Sequence, residues 1–529
     1  MGIYFNPGNE VFNEIEHQPI YVDKSGIISV LNDIMENGNK YLCVSRPRRF
    51  GKTVVGNLIS SFYSRGCDSH SLFDGSKISK EQNYEKYLNK LNVIKLDINS
   101  ELQNTEDREN LIKIINKKVS TELVEAYPNV LLNENDSIAD NIIKIWDKTR
   151  DTFVIILDEY DVLVRESVEG HISDELFQKY LGFLNGLFKS DTVRPAIALA
   201  YLTGILPIVR EKIQSKLNNF DEYTMLRPGV LAQYIGFTEE EVKILCEKYK
   251  IDFSECKRWY DGYKLKNFDM YNPRSVVKAI QDEEFASYWS ATSTFEVISD
   301  YIGMNFDGTK ESVIKMISGS RADVDVTSYK NTMNDFKCAD DVFTYLIHLG
   351  YLSYDPIEQQ CYIPNREVRG EWATAIKISS DYSVTSKIIQ TSKELLEDTI
   401  DGNEEAVAQS LDESHIHVSS NRTYNNEDSL HSAIYLSYFY ALNKYTCFKE
   451  LTTGKGFADI VYVPFVKNYP AMVIELKHNK DVRSAIKQIK EKKYSEALSN
   501  YSGELLLVGI TYDEKTKKHS CKIEHAVKE

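Results

Sequence analysis

The strongest constraint on the fold is a loop that joins an apolar, strand-like run to a stretch with helical spacing. The run Tyr41–Val44 leads into Ser45-Arg46-Pro47-Arg48-Arg49-Phe50-Gly51-Lys52-Thr53, and Val54–Tyr63 follows. Backbone N–H groups at a helix N-terminus can hold phosphates, while a lysine reaches the terminal phosphates and a Ser/Thr hydroxyl binds Mg²⁺. The sequence therefore predicts a phosphate-binding loop of the P-loop NTPase type.

The end of this loop supplies the expected nucleotide-binding residues, which are Arg49, Phe50, Gly51, Lys52 and Thr53. Thr53 is also a candidate ligand of Mg²⁺. The usual pattern has a glycine where this chain has Arg46, so the motif taken alone is incomplete.

Two later apolar runs end in polar residues. Phe153–Leu157 precedes Asp158 and Glu159, and Ala196–Leu202 precedes Thr203. In a parallel sheet such strand ends meet at the crevice where ligands bind. Asp158 is expected to hold Mg²⁺ through water, Glu159 to polarise the attacking water, and Thr203 to contact the γ-phosphate or that water. The alternatives are an exposed acidic turn and an ordinary threonine at a strand end.

Arginines that could stabilise the transferred phosphate are Arg46, Arg48, Arg49, Arg194 and Arg210. The sequence does not choose among them.

Apolar runs that alternate with longer amphipathic segments predict an α/β multidomain protein. Residues 1–235 are expected to form a P-loop core around a buried parallel sheet. Residues 236–385 are expected to be mostly helical, beginning with a capping box between Thr238 and Glu241 and including a winged-helix-like unit, a helix ending near Leu349 and then a hairpin. Residues 386–529 are expected to form a separate C-terminal α/β domain.

Three polar residues interrupt apolar strands of this C-terminal domain: Asp459, Glu475 and Lys477. A hairpin centred near Lys467 would place Asp459 opposite Glu475, and Glu475 and Lys477 share a face because they are two residues apart. Two carboxylates so placed can bind Mg²⁺, while the lysine orients a water or neutralises the developing anion. Glu427, on a preceding helix, is a candidate additional ligand. The alternative is a solvated strand face, with Asp459 capping a bulge.

Residues near this constellation are assigned lesser roles. His431 is expected to pack beside it, Glu450 has a weaker claim because it precedes a Gly-rich turn, and Gln488 is placed to reach a backbone or the site. The same helix as Gln488 carries lysines that could hold a nucleic-acid backbone, namely Lys487, Lys490, Lys492 and Lys493. A solvated amphipathic helix is the alternative reading of these lysines.

Charge limits the partners that the chain can bind. Lys+Arg 63 against Asp+Glu 79 give a net charge of −16, so a nucleic-acid role requires a local basic region. Residues 444–493 provide one, with eleven Lys/Arg against five Asp/Glu.

The longest apolar stretch, Ala196–Val209, is shorter than the roughly 18 residues that cross a bilayer. The eight cysteines lack zinc-site spacing, and we expect a cytoplasmic protein that contacts no membrane.

The whole chain resembles bacterial and archaeal proteins that join an AAA-ATPase-like N-terminal region to a C-terminal PD-(D/E)XK nuclease-superfamily domain. The matching stretches are Tyr21–Lys24, Arg46–Thr53, Leu157–Asp161, Thr203–Ile205, Trp259–Tyr263, Tyr271–Ser275, Leu349–Leu352, Gly454–Ile460 and Glu475–Lys477. In that family an arginine at the position of Arg46 is usual. The motifs at 259–263 and 271–275 are interpreted only as a structural junction between a helix and a turn.

This resemblance implies ATP and Mg²⁺ at Lys52, Thr53, Asp158 and Glu159, and a restriction-endonuclease-like centre at Asp459, Glu475 and Lys477. The leading hypothesis is an ATPase whose Mg²⁺-dependent nuclease domain cleaves nucleic acid, DNA rather than RNA, under control of nucleotide state. Mn²⁺ is an alternative metal, and a homo-oligomer is compatible with the sequence. A nucleotide-dependent switch that binds nucleic acid or protein without cutting is the second hypothesis, and a small-molecule phosphotransferase is the third.

Overall fold

The structure is a computed structural model with side chains. It describes residues 2–208, 217–289, 294–304, 306–317, 319–327, 329, 336–378, 382–418, 434–453, 456–466, 468–491 and 503–526. The chain divides into two compact units, an N-terminal unit of Met1–Thr292 with Asp323–Arg369 and a C-terminal unit of Ser293–Ala322 with Gly370–Glu529. The division into three domains at residues 235 and 385 stays a prediction.

The N-terminal unit is built on a five-stranded, all-parallel sheet in the order β2-β3-β4-β1-β5. Its strands are β1 (Tyr41–Ser45), β2 (Asn92–Asp97), β3 (Phe153–Asp158), β4 (Ile197–Gly204) and β5 (Asp221–Tyr223). Every residue of β1 and β3 is buried, as expected for strands whose two faces are both covered by helices. The predicted parallel-sheet core is confirmed.

Helices precede, connect and cover these strands. They are α1 (Glu10–Glu16), α2 (Gly26–Asn37), α3 (Lys52–Tyr63), α4 (His70–Phe73), α5 (Tyr84–Tyr87), α6 (Ile98–Asn104), α7 (Leu111–Ala126), α8 (Ile138–Thr149), α9 (Val162–Val168) and α10 (Asp174–Phe188). Side-chain caps fix the starts of several: Ser137 accepts from Asp140 N at α8, and Ser173 accepts from Leu176 N at α10.

The remainder of the N-terminal unit is mostly helical, with two small groups of strands. Its elements are β6 (Phe237–Thr238), α11 (Glu239–Tyr249), α12 (Phe253–Tyr260), β7 (Tyr263–Leu265), β8 (Phe268–Tyr271) and α13 (Pro273–Asp282), and, farther along the chain, α16 (Ala339–Leu349), β10 (Ser353–Asp355) and β11 (Gln360–Tyr362). The predicted capping box is confirmed, because the Thr238 hydroxyl accepts from Glu241 N and the Glu241 carboxylate accepts from Thr238 N.

The predicted helix followed by a hairpin is also present. Helix α16 ends at Gly350, which has φ of +87°, and β10 pairs antiparallel with β11. Nine of the eleven residues of α16 are buried. A helix this deeply buried has no free face with which to enter a nucleic-acid groove.

The C-terminal unit combines helices with a mixed five-stranded sheet in the order β12-β13-β14-β15-β16. Its elements are α14 (Thr294–Ile302), α15 (Thr309–Ile317), α18 (Ser383–Ile400), α19 (Glu404–Val418), β12 (Tyr445–Thr453), β13 (Gly456–Pro464), β14 (Ala471–His478), α20 (Val482–Glu491), β15 (Leu505–Asp513) and β16 (Lys518–His525). Two elements span the points where the chain passes from one unit to the other, namely β9 (Ala322–Asp323) and α17 (Arg366–Ile378), and the first residues of α17, to Arg369, belong to the N-terminal unit. Strands β14 and β15 are parallel and the other three pairings are antiparallel.

Strands β13 and β14 are the predicted apolar strands that carry Asp459, Glu475 and Lys477, whereas the sequence did not predict β12. Helix α20 is described as far as Glu491, so the last part of the predicted basic helix lies outside the described residues. Among the helices that the structure describes, none is both long and apolar enough to pass through a lipid bilayer.

Candidate functional site

The predicted phosphate loop runs from the end of β1 to the start of α3. The backbone N–H of Arg46 donates to Gly204 O at 3.1 Å, which ties the loop to the neighbouring strand β4. Gly51, the residue before α3, has φ of +87°, a conformation that glycine adopts without strain. This turn aims the free N–H groups of the α3 N-terminus into the loop, where they can hold phosphate.

Lys52 lies inside this loop and is 5% exposed. Its Nζ donates to the carbonyl oxygens of Arg46 and Pro47, each at 3.1 Å. Burial lowers the pKa of Lys52, against the opposing effect of the nearby carboxylates, chiefly Glu159. A phosphate oxygen would stabilise this buried ammonium more than the neutral carbonyls do, because hydrogen bonds between two charged groups are stronger than those to a neutral acceptor.

Asp158 and Thr203 sit side by side at the carboxyl ends of β3 and β4, paired in register. Asp158 is 1% exposed, and its burial raises its pKa, while a hydrogen bond from the Thr53 hydroxyl lowers it. Thr203 Oγ1 is buried and has no hydrogen-bond partner among the described residues. Such orphaned buried groups call for a ligand, water or ion, and a cation beside Asp158 would compensate its charge. The structure thus brings together Thr53, Asp158 and Thr203.

Glu159 follows Asp158 with φ of +51° and is engaged by an arginine that the sequence analysis did not single out. Arg165 Nη2 lies 2.9 Å from the Glu159 carboxylate, and Arg165 Nε lies 3.2 Å from that of Asp161. Burial and the charge of Asp161 raise the pKa of Glu159. A raised pKa favours proton acceptance near neutral pH, which is what a general base requires.

A cavity of about 880 Å³ opens beside the loop. Its lining includes Gly51 and the charged or polar side chains Lys52, Thr53, Glu159 and Arg165, together with the apolar or aromatic residues Ile20, Tyr21, Val22, Phe237, Pro273 and Val277. This volume lies within the range of small-molecule and cofactor sites, about 300–1,000 Å³. A lining that combines charged with apolar and aromatic side chains fits a triphosphate attached to a nucleoside.

Arg274 also lines this cavity, although the sequence analysis treated its motif as structural. Asn272 caps α13 by accepting from Arg274 N at 3.0 Å, which places Arg274 in the first helical turn. The sequence around Arg274 therefore indicates the start of a helix. It does not indicate that this helix start lines the same cavity as a loop more than two hundred residues earlier in the chain.

The structure separates the five candidate arginines. Arg48 and Arg49 line the cavity. Arg46 is fully buried and donates from Nη1 to Ser45 O at 2.8 Å and Tyr223 O at 3.0 Å. Arg194 lies at the amino end of β4, away from the loop. Arg210 lies outside the described residues.

In the C-terminal unit, β13 and β14 pair Ile460 with Ile474 and Tyr462 with Met472, the register that the sequence predicted. Continuing this register places Asp459 opposite Glu475. The Asp459 carboxylate accepts from Leu476 N at 2.7 Å, so it lies against the backbone between residues 475 and 477.

Glu475 is fully buried and is the centre of this cluster. Lys477 Nζ lies 2.8 Å from Glu475 Oε1, and Gln488 Nε2 donates to the same oxygen. The hydrophobic side chains Ile486 and Ile489 of α20 are buried. Since a buried carboxylate is costly without compensation, a cation held by Asp459 and Glu475 would stabilise Glu475 further.

Several predicted residues of this region cannot be placed. Glu427, His431, Lys492 and Lys493 lie outside the described residues, as does the side chain of Glu450. Of the basic side chains on α20, Lys487 pairs with Glu491 and Lys490 with Glu524.

Comparison with known proteins finds two family matches, one over each region of the chain that carries a candidate site. Residues 8–214 match the AAA-ATPase-like family, described as "Predicted AAA-ATPase", and residues 425–521 match the PD-(D/E)XK nuclease superfamily. The chain joins an AAA-ATPase-like domain to a PD-(D/E)XK nuclease-superfamily domain. Together these domains point to an enzyme.

Individual relatives add little detail to this assignment. An uncharacterized protein from the vnfD 5′ region of Azotobacter chroococcum mcd 1 is 24% identical over 290 residues, covering 53% of this chain and 52% of the relative. The chain thus spans about half the length of that curated relative. The crystal structure of Cdc6p from Pyrobaculum aerophilum is 12% identical and covers 70% of this chain and 98% of its own, with a TM-score of 0.26, too low for an argument about fold or function.

The residues present fit the groups that these families use. In the AAA-ATPase-like domain, Lys52 would contact phosphate, and Thr53 and Asp158 would hold a divalent cation. In the nuclease-superfamily domain, Asp459 and Glu475 offer the carboxylate oxygens that Mg²⁺ prefers. When bound, such an ion supplies Lewis-acid stabilisation of charge and a lowered pKa of water.

Proposed function

We propose that this protein binds and hydrolyses ATP in its AAA-ATPase-like domain. The observation that carries this proposal is that Lys52 and Glu159 line a cavity of nucleotide size, while Asp158, near Lys52, is paired in register with Thr203. Lys52 exchanges its loop carbonyls for phosphate oxygens, Glu159 accepts a proton from the attacking water, and the Thr203 hydroxyl donates a hydrogen bond to that water or to the γ-phosphate. Since ATP is a cytoplasmic metabolite, we assign the protein to the cytoplasm.

We further propose that the C-terminal domain cleaves phosphodiesters of nucleic acid, with Asp459 and Glu475 as ligands of Mg²⁺ or Mn²⁺. The supporting observation is the burial of Glu475 in contact with Lys477, with the Asp459 carboxylate against the same strand. Lys477 is the group that orients the attacking water or neutralises charge as it develops. DNA is the favoured substrate, and the nucleotide state of the AAA-ATPase-like domain regulates cutting.

A paired substitution tests the nuclease assignment. Glu475→Gln should reduce divalent-dependent cleavage at least about a hundredfold, because it removes one ligand charge. Glu491→Gln, on the exposed face of α20, is the matched control and should cut like the wild type. Equal cleavage by the two variants would refute the assignment.

A switch that binds without cutting is the second candidate, and one observation favours it. Glu475 Oε1 is already engaged by both Lys477 and Gln488, which neutralise and satisfy it without a metal. Nucleic-acid binding without cleavage in Mg²⁺ and in Mn²⁺, with and without ATP, would support this candidate over the nuclease.

A further inference from the structure

A buried carboxylate outside both proposed catalytic clusters connects two arginines of the nucleotide cavity. Glu367 lies in the first turn of α17 and is 1% exposed. Its two carboxylate oxygens each lie 2.9 Å from the hydroxyl of Ser275, and Oε1 also accepts from the backbone N–H groups of Tyr288, at 2.7 Å, and Trp289, at 2.9 Å. A buried charge is tolerated where hydrogen bonds satisfy it, and here those bonds come from two separate segments of the chain.

The first segment is the start of α13. Ser275 follows Arg274 in the first turn of this helix, and Arg274 lines the cavity. Neighbouring residues of a helical turn have fixed relative directions, so holding the side chain of Ser275 sets the rotation of the turn that presents Arg274. Asn272 caps the turn but does not tie it to another element, whereas Glu367 does.

The second segment is the peptide group between Tyr288 and Trp289. Its N–H, that of Trp289, donates to Glu367, while its carbonyl oxygen, that of Tyr288, accepts from Nη1 of Arg49 in the phosphate loop. One peptide group therefore links the buried carboxylate to the loop. Burial and the charge of Arg274 lower the pKa of Arg49, and the charge of Glu367 opposes that shift.

Residues packed around the 288–289 peptide and the phosphate loop restrict the movement of both. A side chain at Gly350 would come within 2.7 Å of the Pro47 ring and 3.2 Å of Trp289, so the loop, α16 and the 288–289 segment are in close contact. Tyr263 donates to Gly350 O at 2.8 Å, and its ring packs edge-on against Phe50 of the loop. Tight packing transmits a displacement at one residue to its neighbours.

We propose that Glu367 is a positioning residue for the ATP site, which sets Arg49 and Arg274 beside the terminal phosphates. This role rests on the proposed binding of ATP. Arg49 and Arg274 carry like charges close enough to repel, and Glu367 offsets that repulsion without entering the cavity. Both arginines line the cavity that Lys52 also lines, so we expect their correct placement to benefit ATP, with its extra phosphate charge, more than ADP.

The test is a double-mutant cycle on nucleotide affinity in the full-length protein. Glu367→Gln keeps the size and one acceptor oxygen but removes the charge, and it should weaken ATP binding about tenfold while changing ADP binding less than about threefold. In the double variant Glu367→Gln/Arg274→Ala, the fold-loss of ATP affinity should be smaller than the product of the two single fold-losses, since both substitutions act through Arg274. Ser275→Ala, which removes a single hydrogen bond, should show the same ATP selectivity at smaller size if Glu367→Gln folds poorly.

Controls separate this proposal from the assignment on which it rests. Glu371→Gln alters another buried glutamate, one turn farther along α17, and should leave the ratio of ATP to ADP affinity unchanged. A wild-type protein that fails to bind ATP would overturn both proposals. Two results would overturn the positioning role alone, provided that the wild type binds ATP. In the first, the ratio of ATP to ADP affinity is the same in the wild type, Glu367→Gln and Ser275→Ala. In the second, the loss of ATP affinity in the double variant equals the product of the two single losses.

Discussion

Replacing Lys477 with methionine distinguishes a metal site from an ordinary buried ion pair. Lys477 is 13% exposed and Glu475 is fully buried, so Lys477→Met removes a cation from beside a buried carboxylate. Removing one partner of a buried pair costs about 3–5 kcal/mol. For a domain of this size that loss corresponds to a fall in melting temperature of about 10 °C, measured in EDTA.

A divalent ion should return most of this loss. If Asp459 and Glu475 bind Mg²⁺, a concentration about a hundred times Kd adds about 2.7 kcal/mol to the free energy of unfolding. The gain should be larger in Lys477→Met than in the wild type, since Lys477 competes with the ion for Glu475. Scanning calorimetry in EDTA and in Mg²⁺ or Mn²⁺ measures both quantities.

The matched control removes both charges at once. Glu475→Gln combined with Lys477→Met should recover stability in EDTA, because replacing a whole buried pair is far less costly than breaking it. The same double variant should show no response to divalent ions. A Lys477→Met protein whose melting temperature is unaffected by Mg²⁺ and Mn²⁺ would show that Glu475 and Lys477 form only a structural pair.

Three further predictions concern the N-terminal unit. Lys52→Met should weaken ATP binding about 10- to 100-fold by removing a charged hydrogen-bond donor, as measured by calorimetric titration. Glu159→Gln should retain ATP binding but release phosphate at least about a hundredfold more slowly. Burial raises the pKa of Asp261 to about 6, so the folded protein holds this proton more tightly than the unfolded chain and loses stability as the pH rises from about 4 through 6. Asp261→Asn should therefore raise the free energy of unfolding at pH 7 by up to about 3 kcal/mol and show little gain at pH 4, measured by urea unfolding at both pH values.

Features with a local periodicity or a symmetric pairing rule were predictable from the sequence. The buried strands β1, β3 and β4 are recognisable in the sequence as apolar runs, and the capping box at Thr238 and Glu241 is a pattern within four residues. The β13–β14 register followed from counting residues about a common centre, which placed Asp459 opposite Glu475. In each case the information lies within a short span of chain.

Contacts between distant segments were not predictable in the same way. Arg165 is one helical turn beyond Asp161 on α9, so its pairing with Asp161 follows from helical spacing. Its pairing with Glu159 involves a residue with a left-handed backbone, which no local sequence pattern predicts. The approach of Arg274 to the phosphate loop and the link through Glu367 depend on how α13 and α17 pack. Strand β12 was missed because its residues alternate weakly and include the polar Lys449 and Glu450.

The central claim is that one chain carries two separate catalytic sites, one that hydrolyses ATP and one that cleaves nucleic acid. Measuring both activities on the same preparations tests this claim most directly. Asp459→Asn should abolish cleavage while ATP turnover continues at the wild-type rate. Lys52→Met should abolish ATP turnover and with it any effect of ATP on cutting. Unchanged cleavage by Asp459→Asn, or unchanged ATP turnover by Lys52→Met, would contradict the account.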